Sequence, residues 1–176
     1  MRIAALALAL FLSGNGAYAH ALPGSVLIIE SVGTQIGLDL CIPLEDLIIA
    51  APDLIALEDL GPTEIPPALT APLGRYLDAH LAIETEGHDI PLRLTGARLE
   101  RARNDHVGNF ALLIAEFAGT LPDPDVTLSL TYDAVMHEVR SHRAAVFETN
   151  DDGPPMAEFG FRQDRGKPVP VKIDLR

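Results

Sequence analysis

The sequence predicts a mainly β domain with one inserted α-helix, and three observations carry that expectation. Short apolar runs, several of them alternating with polar residues, recur along the chain between clusters of Gly, Asn, Asp and Pro. The clearest helical stripe is confined to one stretch, Thr70 to Ile83. After it, no helical pattern separates successive strand segments, so the crossover helices that a parallel sheet requires are missing. The architecture expected is an immunoglobulin-like antiparallel β-sandwich with one inserted α-helix at about residues 70–83.

Ser25 to Val32 is rich in β-branched and long aliphatic residues and stops at Gly33-Thr34, a turn pair. From there Ile36, Leu38, Leu40 and Ile42 alternate with Gln35, Gly37, Asp39 and Cys41, the period of a strand with one face on the core. The two segments form an N-terminal hairpin, ended by Pro43. Between Leu44 and Leu60, acids and leucines recur near helical spacing, but Pro52 and Pro62 limit them to one or two short helical turns. Pro62 to Pro67 is an extended spacer.

In the main helix Leu69, Leu73, Tyr76, Leu77, His80 and Leu81 share one stripe. Thr70 is placed to cap it, and Pro72 falls in a first turn, where a missing N–H costs little. Gly87 follows as a stop. Strand segments are then expected at Ile90 to Leu94, Ala97 to Arg103, Phe110 to Leu121, Val126 to Val139, Ala144 to Thr149, Ala157 to Arg162 and Val169 to Leu175. No repeat and no long linker divides the chain.

The first nineteen residues have the three parts of a secretory signal peptide: Met1-Arg2, the apolar run Ile3 to Leu12, and the small-x-small site Ala17-Tyr18-Ala19. A run of about ten apolar residues is too short for a membrane span, which takes about twenty. Cleavage after Ala19 leaves His20 at the N-terminus; Ala19-His20-Ala21 is an alternative site that discards it. Residues 20–176 then form a single extracytoplasmic, periplasmic domain with no membrane span of its own. The formal net charge is −12. With no basic run, that charge excludes nucleic-acid binding. The single Cys41 forms no internal disulfide and is expected to pack as a shielded thiol.

Two stretches resemble a known family. One is His20-Ala21-Leu22-Pro23-Gly24-Ser25-Val26-Leu27, followed by Leu38-Asp39-Leu40-Cys41-Ile42-Pro43-Leu44-Glu45-Asp46-Leu47. The other is Leu130-Thr131-Tyr132-Asp133 running through His137 and His142 to Val146, with Arg75-Tyr76-Leu77 between them. Together they resemble the extracytoplasmic N-terminal domain of HupE/UreJ-like bacterial membrane proteins, named for hydrogenase and urease accessory proteins. That resemblance implies a periplasmic sandwich ahead of a polytopic membrane domain, and a role in handling nickel, cobalt or another metal. Arg176 directly follows the last strand, where the family enters its membrane helices. The chain is therefore expected to be either a stand-alone soluble version or the front of a longer protein.

His137 and His142 are the first candidate ligands. If residues 138–141 turn a hairpin, the two imidazoles face each other across it, with Cβ atoms about 4.5–5.5 Å apart. If the strand runs straight through, a spacing of five puts them on opposite faces. Asp133 shares the face of His137 and is either a third ligand or an acceptor that orients an imidazole. His20 would add its imidazole and free α-amine, a nitrogen pair suited to Cu(II) or Ni(II). The plainer alternative is a solvated polar sheet face. His80 sits at the edge of the helix stripe, and His88 and His106 lie in loops.

Enzyme chemistry is not expected. Ser141, His142 and Asp133 could be drawn as a nucleophilic set, but no nucleophile-elbow glycine pattern supports it. Asp151-Asp152 belong to a turn cluster with Gly153-Pro154-Pro155. The function expected is a non-enzymatic accessory or binding domain taking Cu, Ni or Co through histidines. The alternative is a structural module that docks, without metal, on a membrane transporter domain, in cis beyond Arg176 or in trans.

Overall fold

The computed structural model describes residues 24–149 and 153–175. The expected hairpin is present as β1 (Ser25–Val32) and β2 (Gln35–Pro43). Next come α1 (Leu44–Ala50), a 3-10 segment (Pro52–Leu57), β3 (Thr63–Glu64) and α2 (Pro67–His80). The strands β4 (Leu81–Thr85), β5 (His88–Ile90), β6 (Arg93–Asn104), β7 (Gly108–Thr120) and β8 (Thr127–Tyr132) follow. The chain closes with β9 (Arg143–Glu148), β10 (Ala157–Gly160), β11 (Gln163–Asp164), β12 (Lys167–Pro168) and β13 (Val171–Asp174).

The fold is mainly β, as expected. A seven-stranded sheet runs β10-β9-β1-β2-β7-β6-β3, and a four-stranded sheet runs β13-β8-β4-β5; β11 and β12 pair separately. One apolar core joins the two larger sheets and the helices. It takes Leu27 and Ile29 from β1, Leu38 and Leu40 from β2, Leu73 and Leu77 from α2, Ile83 from β4, and Leu128 and Leu130 from β8. The alternation in β2 is realised: Ile36, Leu38, Leu40 and Ile42 are buried, while Gln35 and Asp39 are exposed and Cys41 is half-buried.

Four details differ from expectation. The sandwich is not wholly antiparallel, because β1 pairs β9 in parallel, Ser25 opposite Ala144. Those strands lie more than a hundred residues apart, so no short turn imposes an antiparallel sense on them. The inserted helix covers 67–80 rather than 70–83. It starts at Pro67, where a missing N–H is harmless, and Leu81 to Ile83 instead begin β4, paired to β8. Pro72 therefore lies in the second turn. The break between β5 and β6 falls at Pro91-Leu92, inside a segment expected as one strand, because proline cannot donate to a ladder.

The fourth difference positions the site. Val126 to Val139 is not one strand: β8 ends at Tyr132, and residues 133–142 form neither strand nor hairpin. They fold into a tight series of turns, with Val139 N–H donating to the Val135 carbonyl (2.8 Å) and His142 N–H to the Val139 carbonyl (2.9 Å). Ala134, Val135 and Met136 are fully buried. That apolar triplet imitates a strand in sequence but serves as a plug. Among the described residues no helix is long and apolar enough to cross a membrane.

Candidate metal centre and a buried histidine anchor

The turns after β8 separate the two histidines that the sequence had suggested as a pair. His137 joins Asp133 and a residue not expected at the site, His80. His142 enters the core. His20 lies outside the described residues.

His80 is the last residue of α2, one turn beyond Tyr76, so their rings meet at 4.7 Å between centroids. His137 stacks on His80, with centroids 4.3 Å apart and ring planes 8° from parallel, and its centroid is also 6.1 Å from that of Tyr76. Asp133 holds both imidazoles. His80 Nδ1–H donates to the Asp133 carboxylate Oδ1 at 2.8 Å, and His137 Nδ1–H donates to the Asp133 carbonyl at 3.2 Å. Those oxygens can only accept, so each neutral ring carries its proton on Nδ1 and its lone pair on Nε2. Among the described residues neither Nε2 has a hydrogen-bond partner.

Both rings line a pocket of about 440 Å³ together with Tyr76, Arg75 and Asp53, and with Ala50 to Pro52, Leu54 and Pro72. The backbone beneath is held under strain. Val135, a β-branched residue, has φ of 67°, in the left-handed region, and its N–H donates to the Tyr76 hydroxyl at 2.8 Å. Burial pushes the Tyr76 phenol up to about 12, with the Val135 hydrogen bond working against that rise, so it remains a neutral prop for the loop. An imidazole whose Nδ1–H is fixed by a carboxylate or carbonyl is the arrangement that orients a metal-ligating histidine. Asp133 thus fits the orienting role rather than that of a third ligand. Among the described residues no group of three or more His, Cys, Asp or Glu side chains gathers to hold a metal. The ring planes are 8° from parallel, so the in-plane Nε2 lone pairs run side by side. Both reach one ion only when one imidazole turns about its Nδ1 hydrogen bond, leaving other coordination positions to water or an incoming donor.

His142 has no free nitrogen. Its Nδ1–H donates to Asp46 Oδ2 on α1 at 2.8 Å. Its Nε2 accepts from the Ser25 backbone N–H at 3.0 Å and from the Ser25 hydroxyl at 2.8 Å. The Tyr132 hydroxyl in turn donates to Ser25 Oγ at 2.6 Å. A serine, histidine and aspartate in this order have the connectivity of a nucleophilic triad. Here Ser25 is 1% and His142 4% exposed, and Nε2 is shared with the serine's own backbone, so Oγ has no approach for a substrate. The network is a clamp that fastens the first residue of β1 to β9 and α1. Gly24 completes it, since a side chain there would collide with the Arg143 carbonyl.

The two stretches that carry the family resemblance therefore meet in space: Ser25 from the first touches Tyr132 and His142 from the second. The missed members were His80, Asp46 and Ser25. Only Tyr76 and His80, four apart on one helix face, left a chemical signal in the sequence. His88 and His106 are exposed; His106 lies in a turn as expected, whereas His88 opens β5, paired across from Thr85, rather than lying in a loop. No family model matches the chain, and no curated protein matches its sequence.

Proposed function

We propose that the chain is a non-enzymatic, exported accessory domain of the HupE/UreJ-like type that binds a divalent transition metal, Cu, Ni or Co, through Nε2 of His80 and His137, one ring turning out of the stack to meet the ion. The observation that carries this reading is the double hold of Asp133 on two imidazoles that line one pocket, which among the described residues leaves neither Nε2 with a hydrogen-bond partner. Neutral imidazole suits these ions, and their affinities at such a site follow the usual first-row order, with Cu(II) highest. Two protein ligands and open positions suit an ion that is handed on rather than one locked into a structural site.

Native mass spectrometry of the mature protein with Cu(II), Ni(II), Co(II) and Zn(II) tests this. One ion per chain is expected, with affinity falling about 10- to 100-fold in His80→Ala, His137→Ala and the orienting variant Asp133→Asn. Equal uptake by wild type and all three variants would exclude the site.

The second reading, docking on a partner without metal, has one observation of its own. Ile49 on α1 and Ile55 in the 3-10 segment are 61% and 52% exposed, close in sequence to the pocket-lining residues 50–54. It predicts that Ile49→Asp with Ile55→Asp weakens association with a membrane partner while metal uptake is unchanged.

A further inference from the structure

The chain is strongly acidic, yet its charge is unevenly placed: seven of the thirteen Lys and Arg residues fall in 140–176, against six of the twenty-five acids. Three of those cations gather at β10, which among the described residues is an edge strand of the seven-stranded sheet and pairs only with β9. A groove of about 440 Å³ runs there, lined among the described residues by Arg143 and Arg162, Phe159 and Phe161, Gly160, and one acid, Glu158. Arg140 lies over the Phe161 ring, 3.7 Å from its centroid. Arg143 crosses Gly160, its partner across the β9–β10 ladder, and a side chain at Gly160 would collide with that guanidinium. Its Nη1 donates to the His142 carbonyl at 3.2 Å, so the clamp described above also steadies this arginine. Among the described residues, Arg140, Arg143 and Arg162 have no carboxylate partner within ion-pair distance.

We infer that this groove binds an extended acidic peptide segment of a partner protein, added as a further strand along β10. A sheet edge offers main-chain hydrogen bonds to any extended chain, and pockets beside it select alternate side chains. Unpaired guanidinium groups select carboxylates, with which they make charge-assisted, bidentate contacts. Phe159 and Phe161 give the apolar side chains of the same strand a surface to cover. The net charge of the rest of the molecule is strongly negative, which favours approach of an acidic segment at this end, where cations outnumber acids.

The test is an amide NMR titration of the mature chain with an acetylated, amidated peptide of about six residues alternating Val and Glu. A Val–Lys peptide and free glutarate serve as comparisons. Shifts centred on residues 143 and 157–162 are expected with the Val–Glu peptide and not with Val–Lys. Arg143→Gln with Arg162→Gln should weaken binding about tenfold while leaving the rest of the spectrum in place. Absence of shifts at β10, or unchanged affinity in the double variant, would overturn the inference. Glutarate binding as tightly as the peptide would overturn it too, reducing the groove to a site for small anions. A direct effect on the His80 and His137 signals is not expected, so this result and the metal result are independent.

Discussion

A buried histidine is useful only if both ring nitrogens are satisfied, and His142 meets that condition through Asp46 on one side and Ser25 on the other. The donation runs one way, from Tyr132 to Ser25 to His142, while His142 gives its own proton to Asp46. Removing one member leaves its neighbour unpaired. Ser25→Ala should cost about 1–3 kcal/mol, because the Tyr132 hydroxyl loses its acceptor in a fully buried place. Adding Tyr132→Phe removes both partners, and urea midpoints should show the double variant losing less than the sum of the single losses. Cys41 makes a second residue-scale case. Burial, with Asp39 adding to it, pushes its thiol up to about 11. The thiolate is the reactive form, so alkylation of the folded protein by iodoacetamide should be slow at neutral pH. Its rate should keep rising about tenfold per pH unit through pH 9, above the point where an ordinary thiol levels off near pH 8.5. A rate that levels there would contradict the shielding.

At the scale of elements, the joint between β1 and β9 is the feature that holds the functional end together. It is parallel and it begins at Ser25, just after Gly24, whose missing side chain lets the Arg143 carbonyl approach. Gly24→Ala forces backbone apart rather than a flexible side chain aside. A loss of about 1–3 kcal/mol is expected in urea unfolding, with hydrogen exchange rising first in β9 and β10. Regular elements were legible in the sequence where periodicity was clean: the β1–β2 hairpin by alternation, the core face of α2 by the spacing of Leu73 and Leu77. The turns at 133–142 were not, because Ala134-Val135-Met136 is apolar in the way a strand is, while its conformation depends on Tyr76 receiving the Val135 N–H from another element. Parallel pairing of β1 with β9 likewise has no local signature.

For the whole molecule, the two sheets share one aliphatic core, and both histidine sites stand where α1 and α2 meet the end of β8. His137 and Asp133 were legible as candidates from the sequence. His80 was visible only through its spacing from Tyr76; its pairing with Asp133, 53 residues on, is made by the fold alone. The histidine with both nitrogens engaged secures the fold, and the two with one nitrogen each engaged are the ones proposed to bind metal. The most direct test observes the nitrogens themselves, by long-range proton–nitrogen correlation of the six imidazoles during titration with Zn(II), a diamagnetic stand-in for the other ions. Metal held as proposed moves Nε2 of His80 and His137 together at one equivalent, keeps their Nδ1 protonated, and leaves both nitrogens of His142 in place. Unmoved His80 and His137 signals, or a first equivalent taken up by His88, His106 or His142, would contradict it.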